Sequence, residues 1–123
     1  MIDKDQVWDK GTIVTGYNPK EYRKDACGAW IKYSDYGNRK SIFGWEIDHI
    51  KPLSMLGVYS NDKINNMYNL RPLNWLNNLS KGDDYPNYKS VICSNGNKNV
   101  FKSRRLTINP KTIDKINNLF REQ

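Results

Sequence analysis

Asp48 and His49 stand side by side in Trp45-Glu46-Ile47-Asp48-His49-Ile50, and His49 is the chain's one histidine. The apolar and polar alternation of this run, stopping before Pro52, reads as a strand that carries an acid and an imidazole at its end. Tyr68-Asn69-Leu70-Arg71-Pro72-Leu73 reads as a return strand, with Pro72 fitting an edge position or the strand's end. Asn74 then caps a short helix that runs toward Lys81 and stops at Gly82. Strand, loop, strand and helix in this order bring together a carboxylate, an imidazole and an amide oxygen. Such a set suits phosphodiester hydrolysis. The phosphate is anionic and repels hydroxide, so a hard cation such as Mg²⁺ on oxygen ligands has to neutralise charge and stabilise the leaving oxygen. A neutral imidazole can take the proton from an attacking water.

The helix itself indicates which asparagine faces the site. At about 100° per residue, Trp75, Leu76 and Leu79 form one apolar face, Asn78 lies on its flank and Asn77 points away. Asn78 is therefore the expected second metal ligand beside Asp48. Glu46 shares a strand face with Asp48 and reads as an outward-facing charge. Adjacent strand residues point to opposite faces, so the strand has to end or bulge at Asp48-His49 for both to serve one phosphate.

The elements that must hold these residues fit in one domain over residues 1–123. Lys and Arg number 20 against 13 Asp and Glu, a net charge of +7 with a pI of about 9.4, so the natural partner is a polyanion. No basic amphipathic helix with a broad apolar face, no spanning run and no apolar leader is visible, so the reading is no membrane and a soluble protein acting inside a cell, cytoplasmic. Cys27 and Cys93 form neither a disulfide framework nor a Cys-x-x-Cys clip.

Upstream, Asn18-Pro19-Lys20-Glu21-Tyr22 reads as a helix start, Thr12 to Thr15 as strand-like, and Cys27 to Tyr33 as a short strand. Leu53 to Asn66 reads as a long loop. Downstream, Val91-Ile92-Cys93 and Val100-Phe101 flank an Asn95-Gly96 turn signal and predict a β-hairpin. Asn109-Pro110 opens a helix with Ile113, Ile116 and Phe120 on one face.

Three segments, Trp45 to Pro52, Asn69-Leu70-Arg71-Pro72-Leu73 and Asn78-Leu79-Ser80-Lys81-Gly82, resemble the motif of HNH endonucleases in order, spacing and flanking residues. With Arg23 to Ile31, which looks like small stand-alone bacterial and phage members, the resemblance runs from Trp8 to Asp83. It implies an α+β fold with a ββα-metal core over 45–83, short N-terminal elements, and an extension over 84–123 holding the hairpin and helix. It also implies that Asp48 and Asn78 bind the cation, that His49 activates water and that Asn69 braces the loop orienting His49. Asn78 stands where many members have His, which favours Mg²⁺ or Mn²⁺. The two Cys-x-x-Cys pairs of zinc-bearing members correspond to Cys27 and Trp30, and to Asn74 and Asn77, so no structural zinc is expected. Trp30, Trp45 and Trp75 are read instead as core that replaces that cross-link.

The implied partner is DNA, double-stranded first, with RNA left open and the protein a monomer or homodimer in a bacterial, phage or viral setting. Arg71 and Lys81 are either solvated charges or phosphate contacts near the scissile bond. Arg104-Arg105, with Lys98 and Lys102, is either a second phosphate-contacting patch or a plain basic surface. A non-catalytic basic module that binds nucleic acid without turnover is the alternative to the hydrolase.

Overall fold

Short capped helices and two-stranded antiparallel pairs make up the architecture of the computed structural model, which describes residues 1–121. In chain order it runs α1 (Lys4–Trp8), β1 (Tyr22–Lys24), β2 (Trp30–Lys32), β3 (Trp45–His49), α2 (Asn61–Ile64), β4 (Leu70–Asn74), α3 (Trp75–Lys81), β5 (Asn87–Asn95), β6 (Lys98–Thr107) and α4 (Pro110–Leu119). The strands pair β1 with β2, β3 with β4 and β5 with β6, all antiparallel. The protein is thus a small α+β fold of hairpins and short helices.

β3 and β4 pair without a register shift from Trp45 opposite Asn74 to His49 opposite Leu70. The strand therefore ends at His49 rather than bulging there. Regular alternation sends Glu46 and Asp48 to one face and Trp45, Ile47 and His49 to the other. Gly44 makes the entry possible, because a Cβ there would fall 2.0 Å from the Asn38 carbonyl oxygen. Pro72 sits inside β4, where a two-stranded pair leaves it on an edge. At the end of β4 the Asn74 side chain accepts from the Leu76 amide and starts α3, which stops at Gly82 with φ of +51°.

The hairpin is shared between two apolar clusters. Val7, Trp8, Ile31, Trp45 and Leu70 form one. Ile50, Leu73, Tyr88, Ile108, Ile116 and Phe120 belong to the other, so α4 docks on the core through the face its periodicity predicts. Asn109 caps α4 by accepting from the Lys111 amide. The β5–β6 turn places Gly96 and Asn97 between the paired Asn95 and Lys98, and Gly96 takes φ of +62°, while among the described residues only glycines have positive φ. That is the Gly-first form of a two-residue hairpin turn.

Three expectations are corrected. Asn18-Pro19 opens a turn, not a helix: the Asn18 side chain accepts from the Lys20 amide, its carbonyl accepts from Glu21 and Tyr22, and the chain leaves as β1. Asn caps turns and helices by the same local bond, so the dipeptide alone does not separate them. Thr12 to Thr15 contributes a single bridge, Thr12 to Lys24, and Ile13 is exposed. The Leu53 to Asn66 segment is not all loop, since it holds a 3₁₀ turn at Leu53–Met55 and α2, capped by Ser60.

Candidate functional site

Asp48 points from β3 toward α3 and is buried beneath two cations. Its Oδ2 accepts from Arg71 Nε at 2.8 Å, across the β3–β4 pair, and its Oδ1 lies 3.2 Å from Lys81 Nζ. Lys81 is 1% exposed and also reaches the His49 carbonyl at 3.4 Å. Burial lowers the Lys81 ammonium from its ordinary pKa, with Asp48 pulling the other way. Burial also opposes the Arg71 charge, but Asp48 and Tyr88 together leave the guanidinium above its usual value. Arg71 and Lys81 are therefore not the solvated charges that lone basic residues usually are; they form a buried ion triad with Asp48.

Glu46 shares the Asp48 face and meets α3 one turn earlier. Its Oε1 accepts from Asn78 Nδ2 at 3.0 Å, and Arg39 donates to the carboxylate through Nε and Nη2 at 2.7 and 3.0 Å. Burial works against this carboxylate, yet Arg39 and Asn78 hold its pKa below the ordinary value. The outward-facing reading of Glu46 is thus corrected. Asn78 does face β3, but its partner is Glu46, and it shares no hydrogen-bond partner with Asp48.

His49 leaves the end of β3, and its Nε2 lies 2.8 Å from Asn65 Oδ1. With the amide oxygen as acceptor, Nε2 carries the hydrogen and Nδ1 is left to accept a proton. Asn69 is fully buried: its Oδ1 accepts from the Lys51 amide, and its Nδ2 donates to the carbonyls of Lys51 and Ile64. Those bonds tie the chain just after His49 to the residue just before Asn65. Asn65 itself carries no sequence signal, lying in a stretch rich in polar residues.

The helix-face argument for α3 fails in one respect. Leu79 is 54% exposed, whereas Asn77 is fully buried. The buried stripe is Asn74, Asn77 and Lys81, polar residues at helical spacing, because the partners they face are backbone groups and carboxylates rather than apolar side chains. Asn77 Oδ1 accepts from the Val91 and Ile92 amides, at the register shift in β5, and its Nδ2 donates to the Ile92 carbonyl and to Asp25. Asp25, 2% exposed, accepts in addition from the amides of Cys27, Ala29 and Asn74. Burial pushes its pKa up while these donors pull it down. The polar network joins two segments, Cys27 to Trp30 on one side and Asn74 with Asn77 on the other. Trp30 and Trp45 are buried beside it, and Trp75 is half-buried.

Asn77→Ala should accordingly lower stability by about 3 kcal/mol, since it strands buried amides of β5 and removes one donor from Asp25. Urea unfolding measures this, and a variant as stable as the parent would show that Asn77 is not part of a cross-link.

The two arginines of β6 differ. Arg104 is half-buried and donates through Nη2 to the Cys27 carbonyl, which makes it an internal contact, while Arg105 on the other face is exposed. Among the described residues no group of three His, Cys, Asp or Glu is arranged to hold a metal ion. No family model, curated protein or solved structure matches the chain.

Proposed function

We propose that this protein is an HNH-type, ββα-metal nuclease that hydrolyses phosphodiester bonds in DNA with a divalent cation. The observation that carries the reading is the held imidazole of His49, bonded through Nε2 to Asn65 at the end of a strand whose neighbouring residue is Asp48.

Asp48 is a hard oxygen donor, but Arg71 and Lys81 take both its oxygens, so a cation binds there only by displacing them. Asp48 and Glu46 present carboxylates on one face of β3, and the amide of Asn78 lies against Glu46. Asp48 and Asn78 are the residues that would hold Mg²⁺ or Mn²⁺, whose chemistry there is neutralisation of the phosphate and stabilisation of the leaving oxygen. His49, on the opposite face of β3 from Asp48, would accept the proton of the attacking water at Nδ1 where the strand ends. Asn65 and Asn69 keep the ring and its loop in place. Arg71 and Lys81 supply positive charge that attracts the phosphodiester.

The net charge of +7 favours a nucleic-acid substrate, and among the described residues no helix is long and apolar enough to cross a membrane. A binding module without turnover is the second reading, favoured by the burial of Asp48 under two cations. Incubation with supercoiled plasmid in Mg²⁺ or Mn²⁺ and in EDTA separates the two. Metal-dependent nicking is expected; plasmid retardation without nicking under any divalent metal would leave the binding module.

A further inference from the structure

A cleft of about 710 Å³ lies between the end of α1, the start of β4 and the first turns of α4. Lys10, Arg71 and Lys115 line it, and no carboxylate does. Arg71 turns its Nε to Asp48, which Lys81 shares, and its guanidinium lies 5.0 Å from the Tyr88 ring centroid, so on the cleft side it meets an aromatic face and no carboxylate. Arg71 is 9% exposed, and its Nη2 is buried with no hydrogen-bond partner. A guanidinium has five N–H donors, and leaving a buried one unmade is costly unless an acceptor arrives.

Lys10 adds a second sign of unrelieved charge. Its ammonium is anchored on the Met67 and Leu70 carbonyls, and burial, followed by the nearby charges of Arg71 and Lys115, lowers its pKa to about 8. The first turn of α4 also faces the cleft through Asn109 and Thr112, and a helix N-terminus adds partial positive charge. At the rim Tyr68 is 53% exposed, with Lys115 Nζ 5.4 Å above its ring. An exposed ring beside a phosphate site is a stacking surface for a base.

We propose that this cleft binds one nucleotide, its phosphate among Arg71, Lys10 and Lys115 and its base on Tyr68. The volume lies within the range of small-molecule sites. Only the source of the phosphate rests on the nuclease reading: under it, the nucleotide belongs to the strand being cut and flanks the scissile bond, and without it a free nucleotide has the same chemistry.

The test uses the full chain in EDTA, so that cleavage is not what is read. Thymidine 5′-monophosphate, inorganic phosphate and a short labelled oligonucleotide are the probes, followed by thermal melting and fluorescence anisotropy. Lys115→Glu changes an exposed side chain that lines the cleft, and Lys20→Glu makes the same charge change at an exposed position that does not line it. Lys115→Glu is expected to weaken the mononucleotide by about tenfold and to lower the salt slope for the oligonucleotide by about one charge or more. Lys20→Glu should do neither. Tyr68→Ala should weaken the mononucleotide but not inorganic phosphate. Competition between mononucleotide and oligonucleotide identifies the strand as the source, and mononucleotide binding without competition identifies the free nucleotide. Equal binding by Lys115→Glu and Lys20→Glu overturns the site, even if the plasmid is cut; loss of cutting with cleft binding intact sinks the nuclease reading alone.

Discussion

His49→Ala is expected to cut the rate of metal-dependent plasmid nicking by about 10²- to 10⁴-fold, the usual contribution of a general base. DNA retardation and the melting temperature should stay close to those of the parent. The ring's one hydrogen bond runs to Asn65, a side-chain amide that water can satisfy once the ring is gone, so little stability depends on it. Asn65→Ala should reproduce part of the effect, because an untethered imidazole samples both tautomers and more than one orientation. Asn69→Ala should cost both rate and stability, since its amide holds both ends of the loop from inside the core. Full nicking by His49→Ala would refute the assignment of the base.

Much of the frame was legible in the chain, for local reasons. Asn74 and Gly82 mark the ends of α3, Asn109-Pro110 opens α4, and the Asn-Gly signal lies at the β5–β6 turn, because caps and tight turns are decided by bonds within a few residues. The return strand and its edge proline were visible for the same reason. What escaped the reading depends on distant partners. Apolar periodicity turns Asn77 outward, whereas the surface α3 meets is the amide-rich bulge of β5 and the carboxylate of Asp25, from a segment some fifty residues earlier. Its spacing with Asn74 and Lys81 was a usable signal. Glu46 and Arg39 illustrate the same limit: the alternation of β3 put Glu46 on the Asp48 face, but only the folded chain brings Asn78 and Arg39 to it. Asn18-Pro19 failed differently, since its local bonds serve a turn as well as a helix, and pairing of β1 with β2 decides between them.

Removing Asp48 is expected to abolish nicking and also to destabilise the fold, and the two losses have separate causes. The carboxylate is 4% exposed and is the shared partner of Arg71 and Lys81. Asp48→Ala leaves two buried cations without their counter-charge, and breaking a buried pair in this way costs about 3 to 5 kcal/mol. A loss of activity in that single variant therefore says little about metal binding. Asp48→Ala combined with Lys81→Met separates the two effects, because methionine keeps much of the lysine stem's volume and removes the orphaned charge. The double variant should regain a large part of the stability, measured by urea unfolding, and should still fail to nick plasmid in Mg²⁺, since no carboxylate remains at the position assigned to the cation. Lys81→Met alone should stay folded, with Asp48 still bonded to Arg71. If the double variant nicks at the parent rate, Asp48 is not a metal ligand, and Glu46 with Asn78 becomes the pair to examine. If Asp48→Ala is as stable as the parent, the ion triad contributes nothing to the fold and the burial of Lys81 must be sustained by its contact with the His49 carbonyl.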